Sequence, residues 1–248
     1  MDYGGFEFEP GQRIVIYGET GMGKTYTFTQ MLGKIRETIP NMIVCLIAPN
    51  YEEDKTYEKA REEYKRVSHG GNLIDIHYAT YNDQAKSFLN GIIDRRRNQR
   101  SISRKRGRPT RRNRVDKRTI LIALDDVGED HRVNRTYVEN AVKKMALSAR
   151  HLNIMMVMMY QYMSQTMVEF GHSVQMVVSK KLLGEKENRL FREMYLPEHS
   201  KEEYDRLRRM VFRERWDTLV IDRRDPGHLR IFRNFAEEVR VREVEHEF

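Results

Sequence analysis

Residues 17–28 read YGETGMGKTYTF. Gly18 and Gly23 stand five apart, and Lys24 and Thr25 follow the second. The run Gly18, Glu19, Thr20, Gly21, Met22, Gly23, Lys24, Thr25 satisfies G-x-x-x-x-G-K-[ST], the pattern of a phosphate-binding loop. Glycines let the backbone turn so that successive N–H groups face inward at phosphate oxygens. A helix that begins there adds its positive end. Lys24 then reaches the β- and γ-phosphates, and the Thr25 hydroxyl is an oxygen ligand for Mg²⁺. The flanks agree with the pattern. "RIVIYG" (13–18) reads as a buried strand, and "KTYTFTQMLGKIRETI" (24–39) as a helix that stops before Pro40. An ordinary strand-to-helix turn that happens to contain glycines is the bland alternative. The motif in this context reads as a site for a nucleotide's phosphates and Mg²⁺.

Outward from the loop, short apolar runs alternate with amphipathic ones. Strands are expected at 42–49, 73–79, 119–126, 154–161, 174–181, 217–222 and 228–233. Helices are expected at 51–67, 83–94, 137–152, about 184–195 and 201–214, with a charged helix at the C-terminus. Continuous apolar strands between helices imply an α/β fold, a mainly parallel sheet sandwiched by helices. No internal repeat is found. One domain over 1–248 is expected, with an insertion at about 95–118.

Composition sets the class. The chain is 39% hydrophobic, enough for a full core, and 33% charged. Its one cysteine, Cys45, lies in "MIVCLIAP", which excludes a disulfide framework and points to a reducing compartment. The N-terminus MDYGGFEFEP lacks the apolar core of a signal peptide, and no apolar run nears the ~20 residues of a membrane span. A soluble, intracellular-type protein with no membrane span is expected. The net charge of +8 is unevenly spread. Residues 95–118, RRRNQRSISRKRGRPTRRNRVDKR, hold 13 of the 45 Lys and Arg against one of the 37 acids, leaving 32 bases and 36 acids elsewhere. The insertion reads as flexible, and it carries the protein's positive charge.

The run "ILIALDDVGED" supplies the second half of the site. Asp125 and Asp126 emerge at the C-terminal end of an apolar strand, where ligands bind in open parallel sheets. Asp125 is read as the Mg²⁺ carboxylate and Asp126 as the group that polarises the attacking water. Asp is one methylene shorter than the Glu common at the second position, so Glu129 is a further candidate base. The helix-capping reading of such a pair is the bland alternative. In "IMMVMMYQ" the apolar residues are core, and the Met-rich run fills gaps. Gln161 ends that strand. If the strand neighbours that of Asp125, Gln161 falls between base and γ-phosphate and can sense it; otherwise it is a strand-end amide.

The order of phosphate loop, basic insertion, "LIALDDVG" and "SARHLNIMMVMMYQ" resembles the FtsK/HerA superfamily of RecA-like P-loop ATPases. Within it the chain is similar to small viral genome-packaging ATPases of large DNA viruses, virophages and tailless phages. "FEFEPGQRIVIYGETGMGKT", "IVCLIAPNYEEDKTYEKA", "ENRLFREMY" and "DTLVIDRRDP…LRIFR" carry the likeness along nearly the whole chain. The resemblance implies an ATP-hydrolysing translocase that packages double-stranded DNA. It implies a homo-oligomeric ring, a pentamer or hexamer, and a capsid or portal-vertex partner. It places the protein in the virion or the cytoplasm of an infected cell. It also implies an arginine acting on the neighbouring subunit's γ-phosphate, for which Arg150, Arg189 and Arg192 are candidates.

Thirteen cations in 24 residues are expected to contact duplex DNA without sequence preference and with strong salt dependence. No aromatics interleave them, which argues against single-strand stacking. A partnerless solvated loop and a nuclear-import signal are the alternative readings of that run. Among functions, a protein-remodelling AAA-like ATPase, another nucleic-acid motor and a nucleotide phosphotransferase are the alternatives to DNA packaging.

Overall fold

The computed structural model describes residues 6–39, 42–48, 55–59, 74–78, 83–105, 118–125, 145, 147–166, 168–225 and 227–240. Among them the strands are β1 (Arg13–Tyr17), β2 (Met42–Ile47), β3 (Ile74–Tyr78), β4 (Thr119–Leu124), β5 (Ile154–Tyr160), β6 (Met176–Ser179), β7 (Leu219–Asp222), β8 (Arg230–Arg233) and β9 (Glu237–Glu238). The helices are α1 (Lys24–Thr38), α2 (Asp83–Lys105), α3 (Val168–Ser173), α4 (Glu185–Tyr195) and α5 (Lys201–Val211). Residues 55–59 and 147–152 are also helical.

One sheet runs β3-β2-β4-β5-β1-β6-β7-β8-β9. Every pairing from β3 to β6 is parallel, and β7, β8 and β9 close it as antiparallel neighbours. This is the mainly parallel α/β sheet that the apolar runs predict. β1 lies between β5 and β6, with Ile14 opposite both Val157 and Met176. The chain leaves β1 through α1 and returns two strands beyond its neighbour β5, at β2. Strand order therefore changes direction at the C-terminal end of β1, the place where open α/β sheets leave a crevice.

Alternation along each strand feeds two cores. Val15, Tyr17, Ile122, Met156 and Met158 face α2, α4, α5 and the helical residues before β5. Ile14, Ile16, Leu121, Val157 and Val178 face α1, Tyr57 and the N-terminal Phe6 and Phe8. Strands buried on both sides have no polar face, which is why they read as continuous apolar runs. Helix α5 begins at a capping box in "SKEE" (200–203): the Glu203 amide donates to Ser200 Oγ at 3.1 Å, and the Ser200 amide donates to Glu203 Oε2 at 2.7 Å.

Two expectations are corrected. Residues 95–105, read as a flexible insertion, continue α2 as helix. Arg, Gln and Lys are good helix formers, and no Pro or Gly stands between Asp94 and Gly107. The first turn of this basic stretch is anchored: Arg96 is buried and donates to the Arg118 carbonyl at 2.6 Å, tying α2 to the entry of β4. Residues 106–117 lie outside the described residues. The charged helix expected at the C-terminus is absent from residues 234–240, and residues 241–248 lie outside the described residues. Asn234 and Phe235 adopt left-handed backbone, with φ of 54° and 65°, and turn the chain into β9. Phe235 is buried there against Phe6, their rings 5.9 Å apart. Burial of that ring and the Asn234 hydrogen bonds described below oppose the backbone strain.

Candidate nucleotide-binding site

Residues 18–25 sit at the change in strand order. The Gly18 amide donates to the Tyr160 carbonyl of β5 at 3.2 Å, and the Lys180 amide donates to the Tyr17 carbonyl at 2.8 Å. The loop thus rises from a strand held on both sides. A Cβ on Gly18 would stand 2.9 Å from Lys180 Cβ, so only glycine fits. Gly23 opens α1 with φ of 84°, a left-handed conformation that favours glycine. The Met22 amide donates to the Glu19 carbonyl at 3.1 Å and closes the loop on itself. Lys24 is buried at the first position of α1, where a nucleotide's phosphates would meet both its ammonium and the positive end of the helix.

Across the crevice the Thr25 hydroxyl donates to Asp125 Oδ2 at 3.3 Å. Asp125 is buried at the end of β4, its amide donating to the Ile47 carbonyl at 2.8 Å. Two hard oxygen donors, a hydroxyl and a carboxylate, thus meet at the head of the helix. That set fits Mg²⁺, which keeps several waters and takes one or two protein oxygens. Asp126 and Glu129 lie outside the described residues. Gln161 is buried at the end of β5, and its Oε1 accepts from Thr20 Oγ1 at 3.1 Å. The condition set for a sensing role is met: β5 lies directly beside β4.

The arginine candidates separate. Arg150 lies against Gly11, and its charge, after burial, helps push the Arg13 guanidinium below its ordinary range. It therefore sits beyond the start of β1, at least the ~13 Å of a five-residue strand from its own loop. Arg192 donates to the His199 carbonyl at 3.0 Å, a structural bond. Arg189 is exposed, 4.0 Å from the exposed Glu193. Arg189 and Arg192 line a cleft of about 680 Å³ between α4 and α5 with Lys186, Lys201 and Arg208. That face is joined to the loop, because the Leu183 amide donates to Glu19 Oε1 at 3.2 Å.

Three residues of the site carry no motif. Tyr57 donates to Asp125 Oδ2 at 2.7 Å and so orients the carboxylate. Lys180, at the end of β6, is buried under the loop; its ammonium donates to Thr218 Oγ1 at 2.6 Å and the Trp216 carbonyl at 2.9 Å. Burial pushes its pKa down to about 8, with the Asp217 charge opposing. The Trp216 ring borders the loop, 3.5 Å from where a side-chain carbon on Gly23 would stand. Only the sheet order brings these side chains to the loop, so spacing in the sequence holds no signal for them. Beneath the loop, the Tyr17 hydroxyl is 2.7 Å from both Thr166 Oγ1 and the Tyr195 hydroxyl, and burial holds its pKa well above the ordinary phenol value.

Among the described residues no group of three His, Cys, Asp or Glu is placed to hold a metal, and no helix is long and apolar enough to cross a membrane. Burial pushes the pKa of the free Cys45 thiol up to about 12.

No family model matches the chain, and no curated protein matches it in sequence. Solved structures do match its fold. One is the genome packaging NTPase B204 of Sulfolobus turreted icosahedral virus 2 in complex with ATP-gammaS. It aligns at TM-score 0.59 and 14% identity, over 90% of this chain and 98% of that one. The pCW3 conjugation coupling protein TcpA, with ATPgS, aligns at TM-score 0.54 and 14% identity, over 73% of this chain and 52% of that one. The cytoplasmic domain of the Thermomonospora curvata type VII secretion ATPase EccC aligns at TM-score 0.58 and 12% identity, over 100% of this chain and 28% of that one. At these identities the likeness shows the fold, which is the P-loop ATPase fold that the FtsK/HerA resemblance implies.

Proposed function

We propose that this chain hydrolyses ATP and uses the energy to drive double-stranded DNA into a viral capsid. One observation carries the hydrolytic part: the Thr25 hydroxyl and the Asp125 carboxylate, 100 residues apart, meet at 3.3 Å beside the phosphate loop. The loop amides and Lys24 hold the phosphates. Thr25 and Asp125 would hold Mg²⁺, which supplies charge neutralisation on the phosphates when bound. Asp126 takes the proton of the attacking water. Gln161, bonded to Thr20, reports the state of the γ-phosphate to β5. Arg189, exposed and paired only with an exposed acid among its described ion pairs, is the best placed of the arginine candidates to enter a neighbouring subunit's site. Subunits then form a pentameric or hexameric ring, and the basic run 95–118 grips the duplex through its phosphates. A capsid or portal-vertex protein is the docking partner. The near-complete overlap with a protein described as a genome packaging NTPase supports the packaging reading.

A second reading has its own support, since the secretion ATPase domain matches the chain's whole length. It makes the chain a motor on protein. Steady-state ATP hydrolysis, measured with and without duplex DNA at several salt concentrations, separates the two. Packaging requires DNA to raise turnover and added salt to abolish the rise. Turnover raised by an unfolded polypeptide and indifferent to DNA would establish the second reading, and no turnover in either case would defeat both.

A further inference from the structure

Trp216, the sole tryptophan, stands in the turn between α5 and β7 and is 53% exposed. Leaving so large an apolar ring in water is costly unless something covers it. Its position says what. A side-chain carbon built on Gly23 would lie 3.5 Å from Cε3 and 3.6 Å from Cζ3 of the indole. The ring edge therefore borders the space beside Gly23 that any side chain there would enter, at the head of α1. The Arg215 guanidinium lies 4.7 Å from the ring centroid and occupies one face. The turn is held from below, because the buried Lys180 ammonium donates to the Trp216 carbonyl. Next to it, Asp217 accepts from Arg233 at 3.0 Å and from Asn234 at 2.7 Å. The indole is thus exposed yet anchored, at the border of a phosphate loop.

We infer that Trp216 is the platform on which the nucleobase of the bound nucleotide stacks, with Arg215 bracing the opposite face of the indole. The inference rests on the nucleotide reading of residues 18–25 and adds to it the subsite for the base. A nucleotide whose phosphates fill the loop extends its nucleoside away from the phosphates at the loop's border, where this ring is offered. Every base has a π-face, so stacking of this kind holds purine nucleotides without telling them apart. Affinity for the base comes from Trp216, and any choice between ATP and GTP comes from other groups.

The test compares MgATP, MgGTP and inorganic tripolyphosphate, each titrated calorimetrically into the full chain, W216A and W216F. Truncation to alanine weakens both nucleotides by about 5- to 150-fold, the range for losing one base–aromatic stack. Tripolyphosphate binds W216A as it binds the unsubstituted chain, which also shows that the loop is folded. W216F restores most of the nucleotide affinity. In the unsubstituted chain MgATP quenches the single tryptophan's emission and tripolyphosphate leaves it unchanged. Equal loss for tripolyphosphate and nucleotide in both variants would reduce Trp216 to a prop of the loop and overturn the inference. Unchanged nucleotide affinity in W216A would overturn it as well, and would assign the exposed ring to a macromolecular contact. Should the unsubstituted chain bind none of the three ligands, the phosphate-loop reading itself falls, a failure distinct from either of these.

Discussion

Lys24 is one of few buried cations in the described chain, and its place at the head of α1 suits a bound polyphosphate. In the proposed reaction its ammonium stabilises charge on the transferring phosphate. Lys24→Ala is expected to lower turnover by at least about 100-fold, as the loss of one charge-stabilising donor does elsewhere. Steady-state kinetics measure this, with circular dichroism to show that the fold persists. Lys180 differs, because its partners are a carbonyl and a hydroxyl and burial depresses its pKa from 10.5 to about 8. Above 10.5 the amine is neutral in both folded and unfolded chains; between the two values only the folded chain has lost the proton. Its relative contribution to stability is therefore fully present above 10.5 and is lost as pH falls through about 8. The urea midpoint of the unsubstituted chain, compared with Lys180→Met, is expected to rise from pH 8 to pH 10. A constant difference would show that the amine does not titrate in that window. Sequence alone marks Lys24 through its motif; Lys180 falls within the strand expected at 174–181 and no motif marks it.

At the scale of elements, β1, which carries the phosphate loop, is tied to the segment after β5 and to α4. Tyr17, the last residue of β1, joins Thr166 beyond β5 and Tyr195 of α4 through hydroxyl bonds of 2.7 Å. Tyr17→Phe leaves two buried hydroxyls short of a partner, which costs about 1–3 kcal/mol. Equilibrium urea unfolding is expected to show that loss with little change in slope. Periodicity finds β1, β5 and α4 themselves, because apolar alternation and helical spacing are local. It reads Tyr17 only as core, since a hydroxyl reveals its partner only once two elements are packed. The antiparallel end of the sheet rests on a comparable cluster. Asp217 accepts from Arg233 at 3.1 and 3.0 Å and from Asn234 at 2.7 Å. Burial opposes its ionisation, yet these bonds, Asn234 foremost, hold the carboxyl below its ordinary pKa. Asp217→Ala is expected to cost about 3 kcal/mol by taking the buried carboxylate from its guanidinium and amide partners. The advantage of the unsubstituted chain is present above the ordinary carboxyl pKa and shrinks as pH falls below it, which urea midpoints at about pH 7 and about pH 3.5 measure.

For the whole molecule, charge is the governing quantity. The basic run spans the second half of α2 and the segment leading to β4, so part of it is presented on a helix. Replacing Arg106, Arg108, Arg111, Arg112 and Arg114 by Gln removes five of its 13 cations. DNA affinity is expected to fall, and the slope of log affinity against log salt to shrink by about 0.9 for each phosphate that is no longer neutralised. An unchanged slope would place the DNA grip elsewhere on the surface. The residues themselves determined the nucleotide loop, the parallel strands, the carboxylate at the end of β4 and the uneven charge. Each is written in a contiguous run whose glycines, apolar repeats or like charges act over a few residues. The three-dimensional packing alone decided that Asp125 meets both Thr25 and Tyr57, that Gln161 meets Thr20, and that Lys180 and Trp216 close around Gly23. Those meetings depend on β1 being inserted between β5 and β6, and strand order is a property of how separate helices and strands pack, which no local stretch encodes.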